Sequence, residues 1–316
     1  MQKVVCVFAL LMLSISLNVF SAKQNNFLSN PKDTILPLSD SSSKLIFKKW
    51  QVNAAVSTLY VGSLTGLGFL WYKNHDLEHF HTFNDLEEWK GVDKIGHTTT
   101  AFQLSTIQSD IFEAAGYSKK QSAIISSLYT IGYMTGIEIM DGFSSGWGFS
   151  FSDICANKLG IGLFAINKAF DKNLVNLKYS FHQTEYAQYN KNLLGKNFIQ
   201  QTLKDYNGQT YWLSFNISSY LPPESKFPKW LNLAVGYGAE GMIGARKNPV
   251  EINGNPIPSF KRYSQWYISP DIDFSQIPVR GRGWKLLMRS LNIFKCPAPT
   301  LEFNSENGFK MHYVYF

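Results

Sequence analysis

Cysteine is scarce in this sequence, with three in 316 residues. Cys6 lies in an N-terminal apolar run, so export would leave Cys155 and Cys296, enough for one bridge and without the setting of a nucleophile. An HExxH helix and a phosphate-loop pattern are also missing, which removes the common signatures of zinc peptidases and nucleotide-binding enzymes. There is no internal repeat and no nucleic-acid-binding motif. The net charge of +7 therefore argues for no nucleic-acid partner and fits anionic lipid or an ordinary solvated surface. Acid is absent from residues 279–295, where Arg280, Arg282, Lys285, Arg289 and Lys295 collect.

What is present begins with an export signal. Met1-Gln2-Lys3 precedes seventeen uncharged, mostly apolar residues over 4–20, with Val19 and Ser21 placed for signal-peptidase cleavage after Ser21. No cysteine follows that run, so no lipid anchor is implied, and an uncleaved membrane anchor is the alternative. With 45% apolar side chains the chain can bury a real core. The expected organisation is a signal peptide over 1–21, a flexible polar linker over 22–44, a helical domain over 45–172 and a β-rich region over 173–316. The fold class is α+β: an N-terminal antiparallel bundle of about four helices, then a mostly antiparallel β region.

The first helix holds 22 uncharged residues over 51–72, with Gly62 and Gly66 at GxxxG spacing, and reads equally as a membrane span or a buried core helix. The second runs from about Asp93 to Ala115 and is too polar to face lipid all round. The third starts at Ser118, whose hydroxyl and Gln121 make a capping-box pattern, and reaches about Met140, with Gly132 and Gly136 permitting close helix contact. The fourth follows the Gly-rich turn 142–148, starts at Ser150 with Asp153, and reaches about Phe170. Lys48, Lys49, Lys119, Lys120 and Lys172 fall on one side of such a bundle. The positive-inside rule would hold that side in the cytoplasm, whereas a cleaved leader would export it. Export is the reading adopted, which places the protein in the periplasm or at the outer membrane, with integral insertion as the alternative.

Beyond Asn207-Gly208 the period becomes two: Tyr211, Leu213, Phe215 and Ile217 alternate with Ser214, Asn216 and Ser218. Similar alternation recurs over 231–237 and 266–274, and Asn307-Gly308 centres a hairpin. Phe316 at the end of an alternating strand resembles the terminal signal of outer-membrane barrels. About five strands cannot reach the eight-strand minimum, so the expectation is an open sheet packed on the bundle or lying against a membrane.

Antiparallel packing would bring the start of the second helix, the end of the third and the start of the fourth to one rim. Asp93 and His97 are four apart, Glu138 and Asp141 three apart, Asp153 and Asn157 four apart, so each pair shares a helix face. The loop carrying His75, His79 and His81 returns to the same rim. Carboxylates mixed with imidazoles suit a divalent metal or a general base, which makes His97, Glu138, Asp141 and Asp153 candidate catalytic groups and Asp93, His97, Glu138 and Asp153 candidate metal ligands. The plainer reading is a polar network of caps and hydrogen bonds involving Asp93, Lys94 and Asn157. Glu138 ends an uncharged stretch and needs a partner if buried, which His97 or Lys94 would supply. The loop histidines sit among Asp76, Glu78, Asp85, Glu87 and Glu88 and read most simply as an exposed connection. The turn around Ser144, Ser145 and Trp147 offers amides to an anion as a lesser possibility.

In order, Asp93-Lys94-Ile95-Gly96-His97, Tyr117-Ser118-Lys119-Lys120, Ile137-Glu138-Ile139-Met140-Asp141 and Gly146-Trp147-Gly148-Phe149-Ser150, with Asp153, Asn157 and Gly160, resemble the YfiM-like family of bacterial envelope proteins. That family is a domain of unknown function often found on lipoproteins. The runs 80–85 and 204–212 resemble its longer Bacteroidetes-type members. The same order of residues is more loosely similar to VanZ-like membrane proteins. The resemblance implies an envelope domain and carries over no reaction. Three functions stay open: a structural or interaction role at a membrane, a metal-assisted hydrolase acting on a phosphorylated or lipid-linked envelope substrate, and an outer-membrane transport or assembly component. The expected partner is a membrane surface or an envelope component, and the cofactor to look for is a divalent metal.

Overall fold

The computed structural model describes residues 48–72, 75–280 and 282–316. The leader and linker expected over residues 1–44 lie outside the described residues.

Four helices come first: α1 (Lys49–Tyr72), α2 (Val92–Ala114), α3 (Lys119–Gly142) and α4 (Phe151–Ala169). Their starts follow from particular side chains. Ser118 Oγ accepts from the Gln121 amide while the Gln121 side chain accepts from the Ser118 amide, a complete capping box. Ser150 Oγ accepts from the Asp153 amide at 3.1 Å and begins α4. Val52, Val56, Tyr60 and Leu67 of α1 are buried with Leu104 and Ile111 of α2 and with Tyr133, Met134 and Ile137 of α3. The opposite side of α1, with Val61 and Phe69, is exposed.

Among the described helices α3, not α1, has the length and apolarity to cross a membrane, and 33% of that stretch is buried. Of the two readings of 51–72, the packing of α1 on α2 and α3 supports the core helix, with one side buried and the other exposed. Its Gly62 and Gly66 face open space, as does Gly132, and of the two GxxxG pairs only Gly136 meets a neighbouring helix, at Leu64. The close contact is elsewhere. A Cβ at Gly160 of α4 would run into the Thr98 carbonyl of α2, so glycine sets how near those two helices lie.

The second half contains β1 (Val175–Phe181), the short helices α5 (Lys191–Leu194) and α6 (Phe198–Lys204), β2 (Gln209–Phe215) and β3 (Leu231–Glu240). A two-stranded ribbon, β4 (Glu251–Ile252) and β5 (Asn255–Pro256), precedes β6 (Tyr263–Ile272), helix α7 (Arg282–Leu291), β7 (Ala298–Asn304) and β8 (Gly308–Tyr315). β1, β2, β3, β6, β7 and β8 form one antiparallel sheet in that order. β1 adds a strand ahead of the first alternation noted beyond Asn207-Gly208.

The sheet is inverted relative to a soluble sandwich. Ser180, Ser214, Asn232, Gln265, Ser269, Asp271 and Glu302 are buried, whereas Leu233, Val235, Trp266, Ile268, Phe303, Phe309 and Met311 are exposed. The inner face is a polar network around a few rings. Lys178 Nζ lies 2.8 Å from Asp271 Oδ2, both side chains fully buried, and Ser214 donates to the same oxygen at 2.7 Å. Trp212, Tyr267 and Tyr315 pack beside it, with Tyr315 donating to the Tyr267 hydroxyl.

The sheet is open, with β1 and β8 at its ends, and it curls. Tyr179 N donates to the Ile293 carbonyl and Lys295 N to the Tyr179 carbonyl, each at 3.0 Å, so the chain ahead of β7 pairs with the outer edge of β1. The bundle covers the outer face on one side only. Phe102 and Phe164 pack on Leu177, and Trp89 and Val92 pack with Tyr211, Ala239 and Met242.

Two points that the sequence leaves open are decided here. The basic run does not form one face: Lys295 is buried and donates to the Pro270 and Cys296 carbonyls, and Arg289 pairs with Asp110 at 3.1 Å. Cys155 and Cys296 are both free, the first exposed and the second half-buried, so the bridge is not made.

Candidate functional site

The rim is reached from α2 through a strained turn. Trp89 and Lys90 both have positive φ, an uncommon conformation for such residues, held by stacking of Trp89 on Tyr206 at 4.7 Å and by the bond from the Trp89 amide to the Ala245 carbonyl. From there Asp93 and His97, one turn apart on α2, face the start of α4, which supplies Asp153 and Asn157. The last turns of α3 bring Glu138 and Asp141. All six are buried.

Lys94 is the hub of the charges. Its ammonium lies 2.6 Å from Asp153 Oδ1, 2.7 Å from Asp85 Oδ2 and 2.9 Å from Asp93 Oδ2. One positive charge thus serves three carboxylates, and they share it unequally. Against the upward pull of burial, bonds from Lys94, Ser150 and Ser152 hold Asp85 down at about 2. Against the same pull, His97, Lys94 and the Tyr206 hydroxyl, which donates to Asp93 Oδ1 at 2.6 Å, hold Asp93 below its ordinary value. Asp153, although nearest the ammonium, is pushed up to about 8 by burial together with the Asp93 charge. Burial opposes the ammonium too, yet Asp93 and Asp153 hold Lys94 above its ordinary value.

His97 Nδ1 lies 3.1 Å from Asn157 Oδ1, a pure acceptor, which assigns the ring hydrogen to Nδ1. Nε2 then carries a lone pair, has no hydrogen-bond partner and faces Asp153 Oδ1 at 3.5 Å. Burial, opposed by Asp93, lowers the imidazole below its ordinary value, so the neutral ring is the form to reason from at pH 7. Glu138 Oε1 is 3.8 Å from Nδ1, too far for a hydrogen bond, and is also unpartnered. Burial and the charges of Asp153 and Asp141 push Glu138 up to about 10, which keeps its proton on at neutral pH. Asp141 stands beside this group, its carboxyl pushed up to about 7 chiefly by burial.

The structure therefore brings Asp93, Lys94, His97, Glu138, Asp153 and Asn157 together. It adds Asp85, Ser150, Ser152 and Tyr206, which sequence reasoning missed. Asp85 read as one of five solvated loop acids, but Lys94 and the two serine hydroxyls at 2.6 and 2.7 Å draw it inward. Tyr206 lies 113 positions from Asp93 in a loop before β2, and only its place in the 204–212 run gave it any prominence.

The loop histidines reach the rim but not the cluster. His75 packs its ring on Trp147 at 4.4 Å, and His79 is exposed. Among the described residues, the histidine-and-acid group within metal-ligating reach is Asp93, His97 and Asp153. The Gly-rich turn offers no anion cradle, because its amides are already used: Ser145 N donates to Asp76 O, Phe149 N to His81 O and Trp147 N to Ser144 O. Its glycines instead make room for Phe80, His75 and Phe83.

Chemically, the cluster offers one neutral imidazole, a set of carboxyl oxygens and three buried polar atoms without hydrogen-bond partners, His97 Nε2, Glu138 Oε1 and Asn157 Nδ2, in a site shielded from water. No curated protein and no solved structure matches the chain. Residues 82–169, which supply every member of the cluster except Tyr206, match a family model described as a predicted periplasmic lipoprotein (DUF2279), and so support an uncharacterised envelope domain.

Proposed function

We propose that this is a membrane-docked envelope protein with a structural or interaction role, in which the outer face of the sheet lies on lipid and the buried cluster fixes the end of the bundle. The inverted sheet carries this reading. Register places Tyr237 beside Trp266, Trp266 beside Phe303 and Phe303 beside Phe309, and the next row joins Val235, Ile268, Leu301 and Met311. Two rows of apolar and aromatic side chains thus run across four strands and point outward. Polar-in and apolar-out alternation is the pattern of strands that meet lipid. A contiguous apolar face of that extent is costly in water and marks an interaction surface. Exposed Trp284 and Leu287 on α7 add to the apolar surface of the same half.

The burial of the polar cluster favours the structural role over the hydrolytic one. His97, Glu138, Asp153 and Asn157 are each at most 4% exposed, which leaves a substrate no face to approach. The large β region, which meets the membrane in this reading, favours the YfiM-like over the VanZ-like comparison.

Flotation with phosphatidylethanolamine–phosphatidylglycerol vesicles tests the proposal. The purified chain should float with the vesicles. Trp266→Asp combined with Phe303→Asp should lower the bound fraction about tenfold while leaving the circular dichroism unchanged, since both side chains are largely exposed and their ring contacts, with Tyr237 and Phe309, lie on the outer face. Equal flotation of the variant, or a wild-type chain that stays with the soluble fraction, would refute lipid docking through this face.

A further inference from the structure

We propose that Asp93, His97 and Asp153 form a binding site for a divalent transition-metal ion, with Glu138 and Asn157 closing the surroundings. The inference does not depend on lipid docking. One ligand atom from each of the three residues lies within 4.8 Å of the others. Donors held at about 2.1 Å in a tetrahedral shell stand about 3.4 Å apart. The separation of His97 Nε2 from Asp153 Oδ1 is 3.5 Å. Nε2 is buried, has no hydrogen-bond partner and faces that oxygen, so its lone pair is available to a cation placed between the two.

The charges point the same way. Asp85, Asp93 and Asp153 converge on Lys94 alone, so three carboxyl groups share one cation and a divalent ion would supply the counter-charge that a single ammonium lacks. Each carboxylate oxygen that accepts from Lys94 keeps a second lone pair for a metal.

The surroundings are those of a ligating histidine. Asn157 fixes the His97 ring through Nδ1, and the Tyr206 hydroxyl orients Asp93 from behind at 2.6 Å. Glu138 Oε1, 1% exposed and unpartnered, faces the same ring at 3.8 Å. One imidazole with carboxylate oxygens selects zinc or a neighbouring first-row ion over magnesium or calcium.

Zinc titration of the chelator-treated full chain, followed by calorimetry and by thermal melting, tests the site. The expected result is saturable binding of one ion per chain and a rise in melting temperature. His97→Gln and Asp153→Asn should each weaken binding at least tenfold, whereas His79→Gln with His81→Gln should leave it unchanged. Lys94→Gln keeps the proposal falsifiable if the ligand variants fail to fold. Without the ammonium, zinc becomes the sole cation of the cluster, so the metal-free variant should melt lower than wild type and gain more from zinc. Three results would each overturn the proposal: no saturable binding by wild type, binding lost with the loop histidines, or a Lys94→Gln variant whose melting zinc does not move.

Discussion

Asp85 shows how one side chain changes meaning between sequence and structure. Held at about 2 by Lys94, Ser150 and Ser152, it is ionised in the folded state at pH values where an ordinary aspartate has begun to protonate. A depressed folded value means that its stabilisation is complete above the unfolded value near 3.8 and is lost as pH falls toward 2. That share is on the order of 2 kcal/mol. Asp85→Asn should therefore flatten the acid limb: between pH 5 and pH 2 wild type should lose about 2 kcal/mol more than the variant in urea unfolding. Parallel curves would mean that Asp85 is solvated after all. Nothing in the sequence distinguishes Asp85 from Asp76, Glu78, Glu87 and Glu88, because the lysine that claims it sits nine positions on and is itself claimed by Asp93 and Asp153. Asp93 and His97, by contrast, were legible as a pair, since spacing of four on one helix fixes a shared face whatever the tertiary structure.

At the scale of elements, the contact between α2 and α4 determines whether the two halves of the cluster meet. Gly160 and Gly162 lie two positions apart on α4 and give a matched comparison. Gly160→Ala should destabilise by about 1–3 kcal/mol, because its Cβ meets the Thr98 backbone and cannot move aside. Gly162→Ala meets nothing within 4 Å and should stabilise by up to about 1 kcal/mol through helix propensity alone. Shifts of the same sign in the urea midpoints would show that α2 and α4 do not approach as described. The helix ends were readable because Ser118 with Gln121, and Ser150, act within one turn of chain. The inner side of the sheet was not. In β1 the alternation Val175, Leu177, Tyr179 and Phe181 against Asn176, Lys178 and Ser180 is strict, yet a central lysine suggests a solvent face, and the Asp271 that buries it lies on a strand 93 positions later.

Across the whole molecule the polar and apolar sides of the sheet exchange their usual roles, and substitutions should reveal it through stability. Asp271 lies on the inner face, with Lys178 at 2.8 Å, Lys295 at 3.8 Å and the Ser214 hydroxyl all directed at its carboxylate. Its removal leaves two buried ammonium groups without a counter-charge, so Asp271→Ala should cost about 3–5 kcal/mol. Ile268 is three positions away on the same strand but on the outer face, 42% exposed. In an ordinary β-sandwich a change of isoleucine to serine on a strand would be the damaging one and loss of an aspartate the tolerated one. Here Ile268→Ser should stay within about 0.5 kcal/mol in lipid-free solution. Its effect should appear instead when vesicles are added, as a smaller lipid-induced rise in melting temperature than wild type shows. A large loss of stability for Ile268→Ser without lipid, together with a mild effect of Asp271→Ala, would mean that the sheet has the opposite face inside, and lipid docking would lose its basis.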